Sequence, residues 1–203
     1  MPRIFSESLY KILLIIILLG AVVGATVDSK VQEDTSNAKN NEKIVLLKSY
    51  HHRDAEFSIK YPSNWIYEES DNGSVVFSGE KDTLAFYSTI NIQIVLSKKG
   101  GGQYQSVKDI IADVKNQILK ESPQTTFLKS GPFVLTTSKG FKLDGEFLIF
   151  IYSYEGHIME QWQVVIPKKD GLAFYTWAYT APISQYSLFL PIADAMLTTW
   201  IIQ

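Results

Sequence analysis

The part of the sequence that most constrains the fold is the region from residue 125 to residue 181, where short strand-like segments alternate with glycine-marked turns. The turn signals are Gly131-Pro132, Lys139-Gly140, Glu155-Gly156 and Asp170-Gly171. The segments between them are rich in aromatic and β-branched residues, which favour strands. Because short loops connect strands as hairpins, this region predicts an antiparallel sheet.

A second strand-rich region is expected to begin near Ile44. In "AEFSIKY", Phe57, Ile59 and Tyr61 alternate with polar residues and are predicted to face the core. Pro62 should end that strand because it has no N–H to donate. Asp71-Asn72-Gly73 is typical of a tight turn between two further strands, and the period-two pattern of "INIQIVL" predicts the next strand.

Two segments have helical periodicity. The first follows Ser106 and Asp109, which resemble a capping box, and should end at Pro123. Its predicted apolar stripe is Val107, Ile110, Ile111, Val114, Ile118 and Leu119. The second is the C-terminal helix, in which Pro191 is either early or at a kink. Its predicted apolar positions are Leu188, Phe189, Ile192, Ala193, Met196, Leu197 and Trp200. Two amphipathic helices with one extended antiparallel sheet indicate an α+β layered domain.

The N-terminal part differs in character from this domain. Arg3 and Lys11 precede an apolar run, so residues 1–27 are predicted to be a signal peptide cleaved near Ala25 or a single membrane anchor. Either alternative predicts export, to the outer face of the cytoplasmic membrane or as a secreted protein. Residues 28–43 are polar and predict a flexible linker, which leaves residues 44–203 for the folded domain.

Composition excludes several classes of function. The chain has no cysteine, which excludes disulfides, thiolate metal sites and cysteine nucleophiles. Its formal net charge of −2 argues against a nucleic-acid partner, because phosphate binding requires excess Lys and Arg. We also find no Gly-x-Ser-x-Gly motif and no obvious nucleophile beside any histidine, and therefore expect no enzyme activity.

Several segments follow one another in a recognisable order: "FSIKYPSNW", "VVF", "INIQIVL", "SVKDI", "DGLAFYTWAYTA" and the final helix. This order resembles the PsbP family, whose fold is shared with Mog1 and DUF1795 proteins. The resemblance implies a central antiparallel sheet flanked by helices, an α/β/α sandwich, in a non-enzymatic extracytoplasmic domain. It implies an accessory or binding subunit of a membrane-associated complex, of the photosystem II extrinsic type in a photosynthetic source. Calcium and manganese are the cofactors it suggests. The positions of the metal-associated residues in plant members fall near Gln161 and Pro182, which are poor ligands.

Candidate site residues lie at four places. Candidate metal ligands lie on or beside one hairpin, namely Asp144, Glu146, Glu155, His157 and Glu160, whose carboxylates offer hard oxygen ligands for Ca²⁺, with a polar sheet edge as the alternative. His51-His52-Arg53-Asp54 is expected to be a loop with exposed histidines rather than a metal site. Asn72-Gly73-Ser74 has the form of a glycosylation acceptor at Asn72.

The fourth candidate is an aromatic set that could line a ligand groove on the sheet: Trp162, Phe174, Tyr175, Trp177 and Tyr179. Core packing is the favoured interpretation of these residues, because a sheet between helices needs large apolar side chains. Any aromatic side chain left on an open face would be the first place to look for a partner. The second functional hypothesis is therefore a secreted carrier or sensor of a small ligand, calcium or manganese.

Overall fold

The computed structural model describes residues 46–52, 56–70, 73–136 and 139–202. The predictions for residues 1–43, including the hydrophobic helix, and for Asn72 lie outside these ranges. The described strands are β1 Leu46–His52, β2 Phe57–Pro62, β3 Trp65–Glu69, β4 Val75–Gly79, β5 Thr89–Leu96, β6 Thr126–Thr136, β7 Lys142–Tyr154, β8 His157–Pro167, β9 Ala173–Pro182 and β10 Ile201–Ile202. The described helices are α1 Val107–Glu121 and α2 Ile183–Thr198, with short 3-10 turns at Leu84–Tyr87 and Lys98–Gly100.

Seven strands form one antiparallel sheet in the order β3-β4-β5-β9-β8-β7-β6. The turns after β6, β7 and β8 contain Gly140, Gly156 and Gly171, which all have positive φ. Glycine adopts that conformation without the steric cost that a Cβ imposes. The turns predicted at these three glycines are confirmed, as is the antiparallel sheet.

The turn predicted at Gly131-Pro132 is wrong. Both residues lie inside β6 and pair with Phe147 and Glu146 of β7. Because β6 is at the edge of the sheet, a proline there removes no ladder hydrogen bond when its nitrogen faces outward. A proline in an edge strand and a proline in a turn leave the same signal in a sequence.

The prediction of a single sheet is also wrong, since β1, β2 and β10 form a separate three-stranded antiparallel sheet. Pro62 ends β2 as expected, and the chain enters the large sheet at Trp65. The phenol of Tyr50 in β1 donates a 2.7 Å hydrogen bond to Glu69 in β3 and joins the two sheets. Strand β10 is only two residues long, too short for a periodic pattern.

Helix α1 has the predicted capping box. The Asp109 N–H donates to Ser106 Oγ at 3.3 Å, and the Ser106 N–H donates to Asp109 Oδ2 at 2.9 Å. The helix ends at Glu121, before Pro123, as expected. The predicted stripe is too wide, because Leu119 is 40% exposed. The buried residues of the helix are Ile110, Ile111, Val114 and Ile118.

Helices α1 and α2 lie on opposite faces of the large sheet. Lys115 of α1 lies 5.6 Å from the ring of Phe127, which in turn packs at 6.1 Å on Phe150 of β7. Helix α2 and the small sheet share a different core, which includes Val164 and Ile166 of β8. The expected layering, a sheet with helices on both faces, is confirmed. We name the two sides the α1 face and the α2 face.

Helix α2 supplies much of the core on its face. Its buried residues are Tyr186, Ala193, Met196 and Leu197, and Trp200 is buried just beyond its end. Pro191 lies in the helix interior, whereas Leu188 is 57% exposed although its spacing predicted burial. Phe57, Ile59 and Tyr61 are buried in the same core, as predicted. Neither helix described here is long and apolar enough to cross a membrane.

Candidate functional site

The two faces of β7 are covered to different extents. Three successive side chains on the α1 face of the strand are fully buried: Leu148, Phe150 and Tyr152. The three that alternate with them on the α2 face are only half-buried: Phe147, Ile149 and Ile151. Helix α2 packs on β8, β9 and β2. The part of the α2 face formed by β6 and β7 is therefore left partly open.

Six half-buried residues form this open area, which we name the open strip: Phe133, Phe147, Ile149, Ile151, Glu160 and Trp162. The strand register places them on one face, since Ile149 pairs with Trp162 and Ile151 pairs with Glu160. Phe133 and Phe147 pack partly against the core that lies under α2. The strip is therefore an exposed continuation of the core.

Trp162 lies where the open strip meets the core. Its ring packs edge-on against Trp177, with ring centroids 5.2 Å apart and ring planes at 74°. Trp177 is fully buried, whereas Trp162 keeps a half-exposed surface. A large side chain that is already held on one side loses little conformational freedom when a partner covers the other.

Glu160 is the one carboxylate of the open strip. Burial raises the pKa of its side chain above the usual value. Burial also raises the pKa values of Tyr179 and Tyr186, and the nearby Glu160 charge contributes to both shifts. The ion pairs of the described residues are those of Lys168 with Glu56 and Asp170, so Glu160 has no cationic partner there.

The edge of the sheet beside the open strip is poorly suited to strand addition. Pro132 lies in the edge strand β6, and a register shift interrupts β6 between Phe127 and Lys129. Prolines, irregular register and charged side chains are the usual features that protect sheet edges. The ammonium group of Lys129 lies 5.7 Å from the ring of Phe147. Side-chain contacts, rather than main-chain pairing, are what this region offers a partner.

The aromatic set predicted from the sequence divides into two groups. Phe174, Tyr175, Trp177 and Tyr179 are at most 5% exposed and belong to the interior of the sheet sandwich. Core packing is therefore confirmed for these four. Trp162 alone reaches an open surface, and the groove interpretation applies only to it and its neighbours.

The five residues proposed as metal ligands are not brought together. Asp144 lies near the start of β7, whereas Glu155 lies in the turn that follows its end, a span of about 36 Å at the rise of an extended strand. His157 and Glu160 are an odd number of positions apart in β8 and so face opposite sides of the sheet. Within the described ranges, no group of three or more His, Asp or Glu residues is placed to bind a metal ion.

The two adjacent histidines end β1 and do not lie in a loop, which corrects the prediction. They point to opposite sides, as expected of neighbours in a strand. His51 is exposed, whereas His52 packs 5.3 Å from the ring of Phe57 and contacts the carbonyl of Gly73 through Nε2 at 3.2 Å. His52 therefore has a structural role at the end of the small sheet.

Comparison with known proteins rests on structure. No family model and no curated protein matches the sequence. The solution structure of cyanobacterial PsbP (CyanoP) from Synechocystis sp. PCC 6803 superposes with a TM-score of 0.56 at 13% identity, over 82% of this chain and 98% of that one. The domain has a PsbP/Mog1-like fold.

Two further solved structures share the PsbP/Mog1-like fold. The Ran-binding protein Mog1p of Saccharomyces cerevisiae has a TM-score of 0.50 at 11% identity, over 78% of this chain and 96% of that one. PA94 from Pseudomonas aeruginosa, a protein of unknown function described as a putative regulator, has a TM-score of 0.52 at 16% identity, over 77% and 96%. At these identities the likeness establishes the fold and carries no functional residue.

The open strip includes residues that sequence reasoning missed, chiefly Phe133 and Phe147. The only signal for Phe147 was the alternation in "GEFLIFIY", which puts Phe147, Ile149 and Ile151 on one face. That pattern predicts two apolar faces for β7. It does not predict that Leu148, Phe150 and Tyr152 are fully buried on the α1 face while helix α2 leaves the other face partly open.

Proposed function

We propose that the domain is a non-catalytic binding module that acts outside the cytoplasm and recognises a protein partner through the open strip. In this proposal, residues 1–27 either hold it at the outer face of the cytoplasmic membrane or are removed on export. It then serves as an accessory subunit of a membrane-associated complex, of the photosystem II extrinsic type in a photosynthetic source.

The observation that carries the proposal is the half-buried state of Trp162, Phe147 and their neighbours, which continue the core onto an uncovered part of the α2 face. Apolar side chains at this position lose water contact only when another surface covers them. Aromatic anchors held by a core are also the residues that contribute most to protein interfaces. One solved protein with this fold, Mog1p, is itself named as a Ran-binding protein.

Charge indicates what the partner presents. Glu160 is a half-buried carboxylate without a cationic partner among the described residues, and it lies beside Ile151 and Trp162 in the open strip. A Lys or Arg side chain from a partner would neutralise it, and the adjacent Trp162 ring would add a cation–π contact. We infer a partner surface with one basic side chain among apolar ones.

The test is affinity capture from detergent-solubilised membranes of the source organism. The tagged full chain is compared with Trp162→Ala, with Glu160→Gln and with the control Leu119→Ala. Leu119 is an exposed apolar residue of helix α1, on the opposite face of the sheet. The proposal requires one stoichiometric partner that is retained by the control and lost or weakened with both strip variants. Equal recovery with all four proteins would refute it.

The second candidate function, a carrier or sensor of a small ligand, calcium or manganese, stays a prediction from the sequence and the family resemblance. Among the described residues, no group of three or more His, Asp or Glu is placed to bind either ion.

A further inference from the structure

Three connections lie together at one end of the large sheet. They are residues 97–106 between β5 and α1, residues 139–141 before β7, and residues 168–172 between β8 and β9. The antiparallel register brings them to the same end, since Leu96 at the end of β5 pairs with Ala173 at the start of β9. We name the surface that these three connections form the basic end, for the reason that follows.

The basic end has a strong positive charge. Its three connections contain one acidic residue, Asp170, and five lysines: Lys98, Lys99, Lys139, Lys168 and Lys169. Five positive charges less one negative charge leave a formal charge of +4, in a chain whose formal net charge is −2.

One of these lysines is neutralised within the domain. The ammonium group of Lys168 lies 3.3 Å from a carboxylate oxygen of Glu56 and 3.1 Å from one of Asp170. The other four lysines are exposed, and they form no ion pair with any residue that the structure describes. Their charge is therefore available to an anion from outside the domain.

Contacts between the connections hold the basic end together. The hydroxyl of Ser97 donates to the carbonyl of Gly171 at 2.6 Å, and the Ser97 N–H donates to the carbonyl of Leu172 at 3.0 Å. The ammonium group of Lys169 lies 3.3 Å from the centroid of the Phe141 ring, which joins the other pair of connections. A surface that is already ordered loses little conformational entropy when it binds.

Exposed apolar side chains lie among these lysines. Leu96 is 54% exposed, Phe141 47% and Leu172 42%. Apolar and cationic side chains on one surface are typical of protein segments that lie at a lipid–water interface, where the apolar groups reach the acyl chains and the ammonium groups stay with the phosphates. A protein interface instead has an apolar centre with a polar rim.

The kind of cation also favours a lipid surface. All five basic residues of the three connections are lysine, and none is arginine. The planar guanidinium of arginine suits bidentate binding of a single carboxylate, whereas the lysine ammonium is a point charge on a flexible stem. A bilayer presents many anionic headgroups in no fixed arrangement, which flexible point charges can contact.

We propose that the basic end binds the surface of a bilayer that contains anionic lipid. The four exposed lysines contact lipid phosphates, and Leu96, Phe141 and Leu172 enter the boundary between headgroups and acyl chains. This contact uses none of the residues of the open strip and needs no contribution from residues 1–27. It orients the domain with this end of the large sheet toward the bilayer.

The test attaches a polarity-sensitive fluorophore to a single cysteine introduced into the full chain, which has no cysteine of its own. Leu96→Cys places the fluorophore at the basic end. Leu84→Cys is the matched control, because Leu84 is 59% exposed and precedes β5, at the opposite end of the sheet. Each labelled protein is mixed with vesicles of phosphatidylcholine alone, or of phosphatidylcholine with phosphatidylglycerol. Any insertion of residues 1–27 is common to both proteins, so the difference between the two positions reports on the domain.

We expect the emission from position 96 to shift to the blue on vesicles with phosphatidylglycerol, and the shift to be reversed at high ionic strength. Position 84 should show no shift. In the protein labelled at position 96, Lys98→Gln and Lys169→Gln should each lower the ratio of bound to unbound label about fivefold, because each removes one charge near the lipid surface. Phe141→Cys provides a second label position, so the test does not depend on the folding of Leu96→Cys.

Three results would overturn the proposal. The first is no shift from either position 96 or position 141 on the anionic vesicles. The second is an equal shift on the two kinds of vesicle, or at position 84 as well. The third is an equal shift when soluble poly-glutamate replaces the vesicles, which would identify an acidic protein surface as the partner of the basic end.

Discussion

Trp162 packs edge-on against the buried Trp177, with ring centroids 5.2 Å apart and ring planes at 74°. One tryptophan belongs to the interior and the other reaches the open strip, so the two should respond differently to truncation. We expect Trp177→Ala to lower the free energy of unfolding by roughly 3–5 kcal/mol. Trp162→Ala, which removes a half-buried ring, should cost only about 1–2 kcal/mol. Urea denaturation followed by circular dichroism measures both, and equal losses would show that Trp162 is as much a core residue as Trp177.

A pH-dependent stability is predicted for Glu160. Burial raises its pKa in the folded state, so the folded protein holds the proton at pH values where the unfolded chain has released it. The resulting stability is present below the unfolded pKa and is lost as pH rises through the folded pKa. The difference in unfolding free energy between Glu160→Gln and wild type should therefore increase across this range and then level off. A difference that does not change with pH would contradict the prediction.

Helix α1 should depend on its capping box. Ser106→Ala removes the acceptor for the Asp109 N–H, and we expect a loss of about 1 kcal/mol in unfolding free energy. Ser106→Asp keeps an acceptor at the same position and should preserve most of the stability. Both values come from urea denaturation of variants measured side by side. If the two substitutions cost the same, the cap is not what stabilises this end of the helix.

Pro132 is predicted to keep the edge strand β6 from pairing with another molecule. Pro132→Val restores an N–H on an edge strand and increases strand propensity. We expect a concentration-dependent dimer, detected by light scattering after size-exclusion chromatography. Pro123→Ala, in the exposed turn that precedes β6 and outside its paired residues, is the control and should remain in the wild-type state. A monomeric Pro132→Val protein would show that the register shift and charges protect the edge without the proline.

The sequence predicts the local elements of this fold well. It predicts poorly how these elements pack and which of their faces are covered. The glycines with positive φ and the Ser106–Asp109 pair each determine the backbone of only a few neighbouring residues. Their patterns therefore identified turns and a helix start that the structure confirms. The division into two sheets depends on pairing between distant segments, such as that of Ile202 in β10 with Phe57 in β2. Such contacts leave no periodic signal in a single sequence.

The candidate site was predictable only in part, for a similar reason. Trp162 was recognised as an aromatic residue of a strand, but its exposure depends on where helix α2 ends relative to β7. Phe147 and Trp162 lie on neighbouring strands, and only the register of β7 with β8 places them on the same face. Patterns within one strand cannot reveal a site composed across two.

Photo-crosslinking in the living source organism tests the proposed partner surface most directly. A benzophenone amino acid is placed at Ile151 in the open strip, and in a second strain at Leu119 on the α1 face. The account predicts one discrete crosslinked protein from position 151, reduced when Glu160→Gln is added, and no such product from position 119. The same product from both positions, or a product from position 119 alone, would contradict the claim that the open strip is the binding surface.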